Sequence, residues 1–456
     1  MLRTSQNLLV IILALASLPA GSEGIRAEPL TLYANATLID GTGSPPRPHQ
    51  DILVRGERII AIASRGQIAD VHVRNARRID LSGQFIMPGL IDSHVHLATP
   101  PDPAKAMARL SRAVYGGVTA VRDMADDLRS VAELARAARA GEIASPDIVF
   151  AAVMAGPSFF ADARAAAVSA GYIPGTAPWM QAVDNRTDLR EAVAIARGTG
   201  ASAIKIYADL DGPQVNAIAS EARRQHMHVW AHGAVFPASP AEIVAARPEV
   251  VSHICYLAYE LEPVMPAAYE RRIAVSPALP KGDDDPVIGR LYEAMRRQGT
   301  IIDATGSLFV RAEAQRRTLP QRRPLRCNAS QTIRLTRQAV RAGVPISTGT
   351  DYETDLSSLW PEVHDELFYL TRDVGMKPLE VIRAATLVGA QAAGQIDEMG
   401  TVASGKLANF IVLSQDPSID IGNIRAIIMT VKRGRPYRRA DYRPASRAKI
   451  ADQIAE

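Results

Sequence analysis

The sequence predicts an α/β protein built on a (β/α)8 barrel, with β-rich ends that pair into one small sandwich beside it. Three observations predict this. Eight short apolar runs alternate with helical patterns through the middle of the chain, which is the signature of strands and crossover helices in a parallel barrel. Both ends instead carry short strands and turns. The length of 456 residues exceeds one ordinary core and requires a large barrel or several domains.

Residues 1–27 begin with a short segment carrying Arg3, then an apolar run from Leu8 to about Leu18, then small residues. The run is shorter than the roughly 20 residues of a membrane span, and the small residues suit a signal peptidase. The expectation is a cleaved export signal ending between Ala20 and Ala27, leaving a periplasmic or secreted protein with no stable membrane anchor. Residues 28–87 form the first part of the sandwich, where DILVRGERIIAIAS alternates around Gly56-Glu57 as a hairpin. Residues 88–396 form the barrel. Its strand runs are FIMPGLIDSHVHL, GVTAVRDM, DIVFAAVMAG, SAIKIYA, HVWAHG, VVSHICYL, GTIIDATG and GVPISTGTD, with helices at 128–140, 188–198, 212–225 and 330–342. RIAVSPALP (272–280) is a ninth apolar run, read as an insertion between strands six and seven. Residues 397–445 return to the β texture with KLANFIVLS and AIIMTVKRGRPY, and 446–456 form a tail.

An apolar content of 47% against 22% charged residues is that of a globular protein. The 52 basic and 48 acidic residues are interspersed and sum to +4, which gives no case for nucleic acid as a partner. The expected partner is a small-molecule substrate, and a homo-oligomer is left open. Two cysteines, Cys255 and Cys327, make no disulfide framework, and a single bridge between them is left open. Cys255, on the face of His253, is read as a small buried hydrophobe.

The chemistry lies at the strand ends. Side chains i and i+2 of a strand share a face, so His94 and His96 can aim at one ion. An HxH pair often arises by chance, but this one ends the first barrel strand, where barrel enzymes place their chemistry. Lys205 in SAIKIY, His232 in HVWAH, His253 in VVSHICY and Asp351 in STGTD fall at later strand ends. Singly, each reads as a satisfied core residue or a cap. Six in this order at five strand ends do not.

PGLIDSHVHL, GVTAVRDM, IKIY, WAHG, SH and GTD, with the tail AATLVGAQAAGQIDEMGTVASGKLANFIVLSQDP, resemble the amidohydrolase superfamily, closest in pattern to its prolidase-like and imidazolonepropionase-related members. The resemblance covers nearly the whole mature chain. It implies a distorted TIM barrel with a composite β-sandwich and a binuclear metal site. His94, His96 and Asp351 would hold the more buried ion and His232 and His253 the more exposed one. Lys205 would bridge them as a CO2-derived carbamate. The ions would be two divalent metals, zinc first, with manganese, iron or cobalt accepted by the same ligands. A bridging hydroxide would then hydrolyse a C–N amide bond, Asp351 passing the proton to the leaving nitrogen. The implied substrate is a dipeptide (Xaa-Pro-like) or an N-acyl amino acid, with a cyclic amide as the close variant. A mononuclear deaminase is disfavoured by the presence of Lys205 and by the lack of a glutamate between His232 and Glu242. A metal-free scaffold is disfavoured by the full ligand set. The chain departs from many prolidase-like members, which read HAHG and EHG where it has WAHGAVFPASP and SHICYL.

Beside these, Tyr207 shares the face of Lys205 and could donate a hydrogen bond to a substrate carboxylate or oxyanion. Trp230 is expected to fill the barrel interior, and His226 and His228 to be structural. Arg122 and Asp123 are read as an ion pair behind the site. The arginines between Arg316 and Arg326 are read as a solvated loop, and His364 is given no role.

Overall fold

The computed structural model describes residues 28–69, 73–319 and 325–445. Residues 1–27, expected to be an export signal, the tail 446–456, Arg322 and Arg323 lie outside the described residues. The N-terminal alternation folds as expected. Strand β1 (Leu30–Leu38) pairs antiparallel with β2 (Arg47–Arg55), which turns through Gly56 at φ 55° into β3 (Arg58–Ser64). Strands β4 (Arg77–Asp80) and β5 (Phe85–Pro88) lie parallel to β1.

Each of the eight predicted runs then holds one barrel strand. These are β6 (Leu90–Val95), β7 (Val118–Asp123) and β8 (Asp147–Ala155), then, after the small hairpin β9 (Thr176–Ala177) and β10 (Met180–Ala182), β11 (Ala203–Ile206), β12 (His228–His232), β13 (Val250–Ser252), β14 (Ile301–Asp303) and β15 (Ile346–Ser347). All eight run parallel in the order β6-β7-β8-β11-β12-β13-β14-β15. Ser93 N donates to Thr348 O at 2.6 Å and Asp351 N to His94 O at 2.9 Å, drawing the first and last strands together. The four helices read from the sequence are Leu128–Ala140, Leu189–Gly198, Gly212–Arg224 and Ala329–Arg341. Each starts on an Asp or Asn (Asp127, Asp188, Asp211, Asn328) whose side chain accepts a first-turn N–H.

Register sets what faces inward. Trp230 lies abreast of Lys205 and Val250, and Val250 of Ile301. Trp230, Val250 and Ile301 pack in one cluster with Ala203 and form the floor of the barrel, with Arg122 stacked on the Trp230 ring at 4.5 Å. Two residues on, strand alternation brings His232, Ser252 and Asp303 abreast above that floor.

The ninth run does not become a strand. After a short 3-10 turn at Tyr269–Arg271, residues 272–280 run irregularly, with Val275 N bonded to Arg326 O. Arg316 and Arg317, read as loop, belong to the helix Gly306–Thr318. The C-terminal strands β16 (Phe410–Leu413), β17 (Ile427–Lys432) and β18 (Arg435–Arg438) join the N-terminal ones through β16, which pairs antiparallel with β5. One mixed sheet, β18-β17-β16-β5-β1-β2-β3, results, with β4 beside β1. Tyr33, Ile52 and Val54 from one end and Phe410, Val412 and Val431 from the other share its core. Each such buried side chain contributes about 1.5–3 kcal/mol. Among the described residues no helix is long and apolar enough to cross a membrane.

Candidate active site

The strand ends converge at the mouth of a cavity lined by His94, His96, His232, His253 and Asp351. His94 lies near the end of β6 and His96 just past it, and their Nε2 atoms lie 3.5 and 3.2 Å from Asp351 Oδ1. Alternation alone would not bring in His253 or Asp351, since Ser252 already takes the inward position of β13. The backbone turns left-handed at His253 (φ 70°) and at Asp351 (φ 55°), as it does at Thr305 (φ 46°), and so re-aims these side chains. Such conformations cost on the order of 1–3 kcal/mol each and persist where the surroundings enforce them. The His253 ring then sits 4.8 Å from that of His94 and 4.6 Å from that of His232.

Behind each histidine a polar group fixes the ring. Asp303 Oδ2 accepts from His94 Nδ1 at 2.7 Å, and Asp126 Oδ1 from His96 Nδ1 at 3.0 Å. Thr305 Oγ1 lies 2.9 Å from His253 Nδ1, and the Ala234 backbone holds His232 Nδ1. The Nε2 atoms of His94 and His96 therefore face Asp351. Gly349 makes room for this, because a Cβ there would run into Asp303 Oδ1 and the Cβ of His94.

Burial dominates the electrostatics. It holds His94, His232 and His253 well below the ordinary histidine range, with Lys205 adding to the effect at each, so these rings are neutral and their lone pairs available. Burial would lower His96 too, but the Asp126 and Asp351 carboxylates outweigh it and raise the ring to about 10. Lys205, 1% exposed, is brought down to about 7 by burial and by Arg122, against the pull of Asp303 and Asp351. Its Nζ has Ser252 Oγ at 3.5 Å. Burial raises Asp351, partly offset by His96.

The donor chemistry fits a divalent cation. Nitrogen, nitrogen and oxygen atoms of His94, His96 and Asp351 lie within 4.8 Å of one another. Asp351 Oδ1 is buried and makes no hydrogen bond among the described residues. A buried carboxylate oxygen facing two imidazole nitrogens is the arrangement a hard or borderline ion satisfies.

Residues 85–437 match the amidohydrolase family. The chain belongs to that family. Amidohydrolases are hydrolases that in general depend on metal, in keeping with the donor set of this one. A 65-residue stretch is 46% identical to the D-aminoacylase of Alcaligenes xylosoxydans xylosoxydans, covering 14% of this chain and 12% of that relative's length. Of solved structures, A. niger ochratoxinase superposes with a TM-score of 0.70 over 90% of this chain and 96% of its own, at 22% identity. A Xaa-Pro dipeptidase with bound methionine in its active site gives 0.68 over 90% and 100%, at 20% identity. At these identities the likeness of the structures is one of fold.

In this amidohydrolase, five of the six strand-end residues read from the sequence line one cavity, with Tyr207 on its wall beside the His232 ring at 4.8 Å; Lys205 is not in that lining, but its charge bears on His94, His232, His253 and Asp351. Trp230 is fully buried in the barrel floor, as expected. Two readings need correction. Arg122 pairs with Asp303 at 3.2 Å and not with Asp123, which accepts from Leu97 N, because the guanidinium lies inside the barrel between Trp230 and β14. Cys255 is no free hydrophobe: it forms a disulfide with Cys327, at a Cα separation of 6.1 Å. Asp303 and Asp126 went unread. Asp303 ends the run GTIID just as the other site residues end theirs, a signal present in the sequence. Asp126 lies in a loop with no comparable pattern.

Proposed function

We propose that this amidohydrolase is an exported, binuclear enzyme that hydrolyses a C–N amide bond in a dipeptide (Xaa-Pro-like) or an N-acyl amino acid. The observation that carries the reading is the arrangement of two donor groups near one buried lysine: His94, His96 and Asp351, and His232 with His253, with His94, Asp351, His232 and His253 within the electrostatic reach of Lys205. In this reading, zinc or a similar ion is held by each group. Lys205 would supply a carbamate between the groups, for which its burial favours the necessary neutral amine: the amine nitrogen would bond to the carbon of CO2 and lose one proton, giving a single negative charge with two oxygens in place of the ammonium.

The bound ions supply an acidified water and a Lewis acid for the scissile carbonyl. Asp351 takes up the water's proton and delivers it to the leaving nitrogen, which departs poorly unless protonated. Tyr207, whose phenol burial keeps protonated, donates to the carboxylate or oxyanion of the substrate. The names of the D-aminoacylase and the Xaa-Pro dipeptidase support an acylated amino acid or a dipeptide as substrate. The Cys255–Cys327 disulfide supports a periplasmic or secreted location, since such bonds persist in oxidising compartments.

Elemental analysis of protein purified without chelator and with bicarbonate tests the reading. The expected result is near two metals per chain, falling in Lys205→Ala together with hydrolysis of N-acyl amino acids and dipeptides. One metal, unchanged in Lys205→Ala, would overturn the bridged site.

A further inference from the structure

One wall of the cavity comes from the insert between β8 and β11, in which a 3-10 turn (Pro157–Ala161), the short helix Ala163–Val168 and the hairpin β9–β10 fold over the strand ends. The insert places Phe159, Arg164, Val168 and Met180 on the cavity, and Leu308 lines it from the helix after β14. All are apolar except Arg164. Asp162 accepts from Arg164 Nε at 3.2 Å and Nη2 at 2.8 Å, which fixes the plane of the guanidinium while 42% of the side chain stays exposed. It lines the same cavity as Tyr207 and Asp351, and its charge bears on both. Tyr207 Oη is 3.1 Å from Tyr269 Oη, and Arg272 stacks on the Tyr269 ring at 3.3 Å. Away from the histidines and Asp351, the cavity thus carries a cation and the Tyr207 phenol, itself backed by Tyr269, among largely apolar walls.

We infer that the substrate is an amide bearing a free carboxylate, held by Arg164 with the Tyr207 hydroxyl, and a large apolar or aromatic group packed among Phe159, Val168, Met180 and Leu308. This rests on the amide-hydrolase reading above and narrows it. A guanidinium fixed at a wall pairs with a carboxylate through charge-assisted bonds. It disfavours cationic substrates and gains nothing from an internal peptide bond, which has no carboxylate nearby. The apolar walls reward bulk, which small aminoacyl groups lack.

The test compares an N-acyl amino acid that has an aromatic acyl group with its carboxamide counterpart, on metal-replete wild type, Arg164→Gln and Arg164→Lys. Wild type is expected to favour the acid by about tenfold or more in kcat/KM, through KM. Arg164→Gln should collapse that ratio toward one by raising KM for the acid, and Arg164→Lys, which keeps the charge, should restore part of it. A wild-type ratio near one, or a ratio unchanged in Arg164→Gln, would overturn the inference while leaving the amide-hydrolase reading intact. Hydrolysis of neither compound would instead overturn that reading, and the inference with it.

Discussion

At Asp303 three buried donors meet one carboxylate: His94 Nδ1 at 2.7 Å, Ser252 Oγ at 3.0 Å and Arg122 Nη2 at 3.2 Å. Burial raises this carboxyl to about 6 even with Arg122 and Lys205 drawing it down. Its role is to position, because it touches the site only through His94 and Ser252. Asp303→Asn should weaken metal binding by about 10- to 100-fold, as loss of such supporting partners does, read by competition with a chromophoric chelator. Affinity equal to wild type would remove Asp303 from the site. His94, His96, Lys205 and His232 were legible in the sequence because period-two alternation puts them on one face. His253 and Asp351 stand out only as polar residues at strand ends, and their inward aim depends on left-handed turns that no local pattern announces. Asp126 was not legible at all, since it meets His96 across 30 residues from a loop.

Among the elements, the eight strands and four helices were readable from apolar runs and spacing. The disulfide was not, because it joins positions 72 residues apart whose approach is set by packing. It ties the 3-10 turn Ile254–Leu261, which begins right after His253, to Cys327 at the head of the helix Ala329–Arg341. A loop of that length contributes about 4 kcal/mol in the chain-entropy account. Reduction, or Cys327→Ser, should therefore lower Tm by several degrees. Thiol titration of the denatured, unreduced chain should find none of its two cysteines reactive. Two reactive thiols before reduction would contradict the bridge. The irregular 272–280 segment marks another limit of pattern reading, since apolar residues there pack as insert and not as strand.

For the whole molecule, stability should depend on pH through His364, which is not part of the cavity lining. Its Nε2–H donates to Gly116 O at 2.9 Å, and the ring stacks on Trp360 at a centroid distance of 5.3 Å. Burial, with Arg425 and Arg439 nearby, pushes it down to about 3, against the Gly116 bond and Glu362. An unfolded histidine takes up its proton near 6.5. Between those values the unfolded chain binds a proton that the folded chain refuses, so stability falls as pH falls, by up to about 1.4 kcal/mol per pH unit. Thermal melts between pH 7.5 and 4.5 should show a steeper decline for wild type than for His364→Gln, and equal slopes would refute the assignment. The join between the first and last barrel strands also bears on how the protein is made. Thr350 Oγ1 donates to His94 O across 256 residues of chain. A ribosome has therefore long since released the two histidines of β6 before it adds the carboxylate they face. A nascent or prematurely terminated chain presents half of the proposed clamp, and the donor set His94, His96 and Asp351 is complete only after translation has passed Asp351.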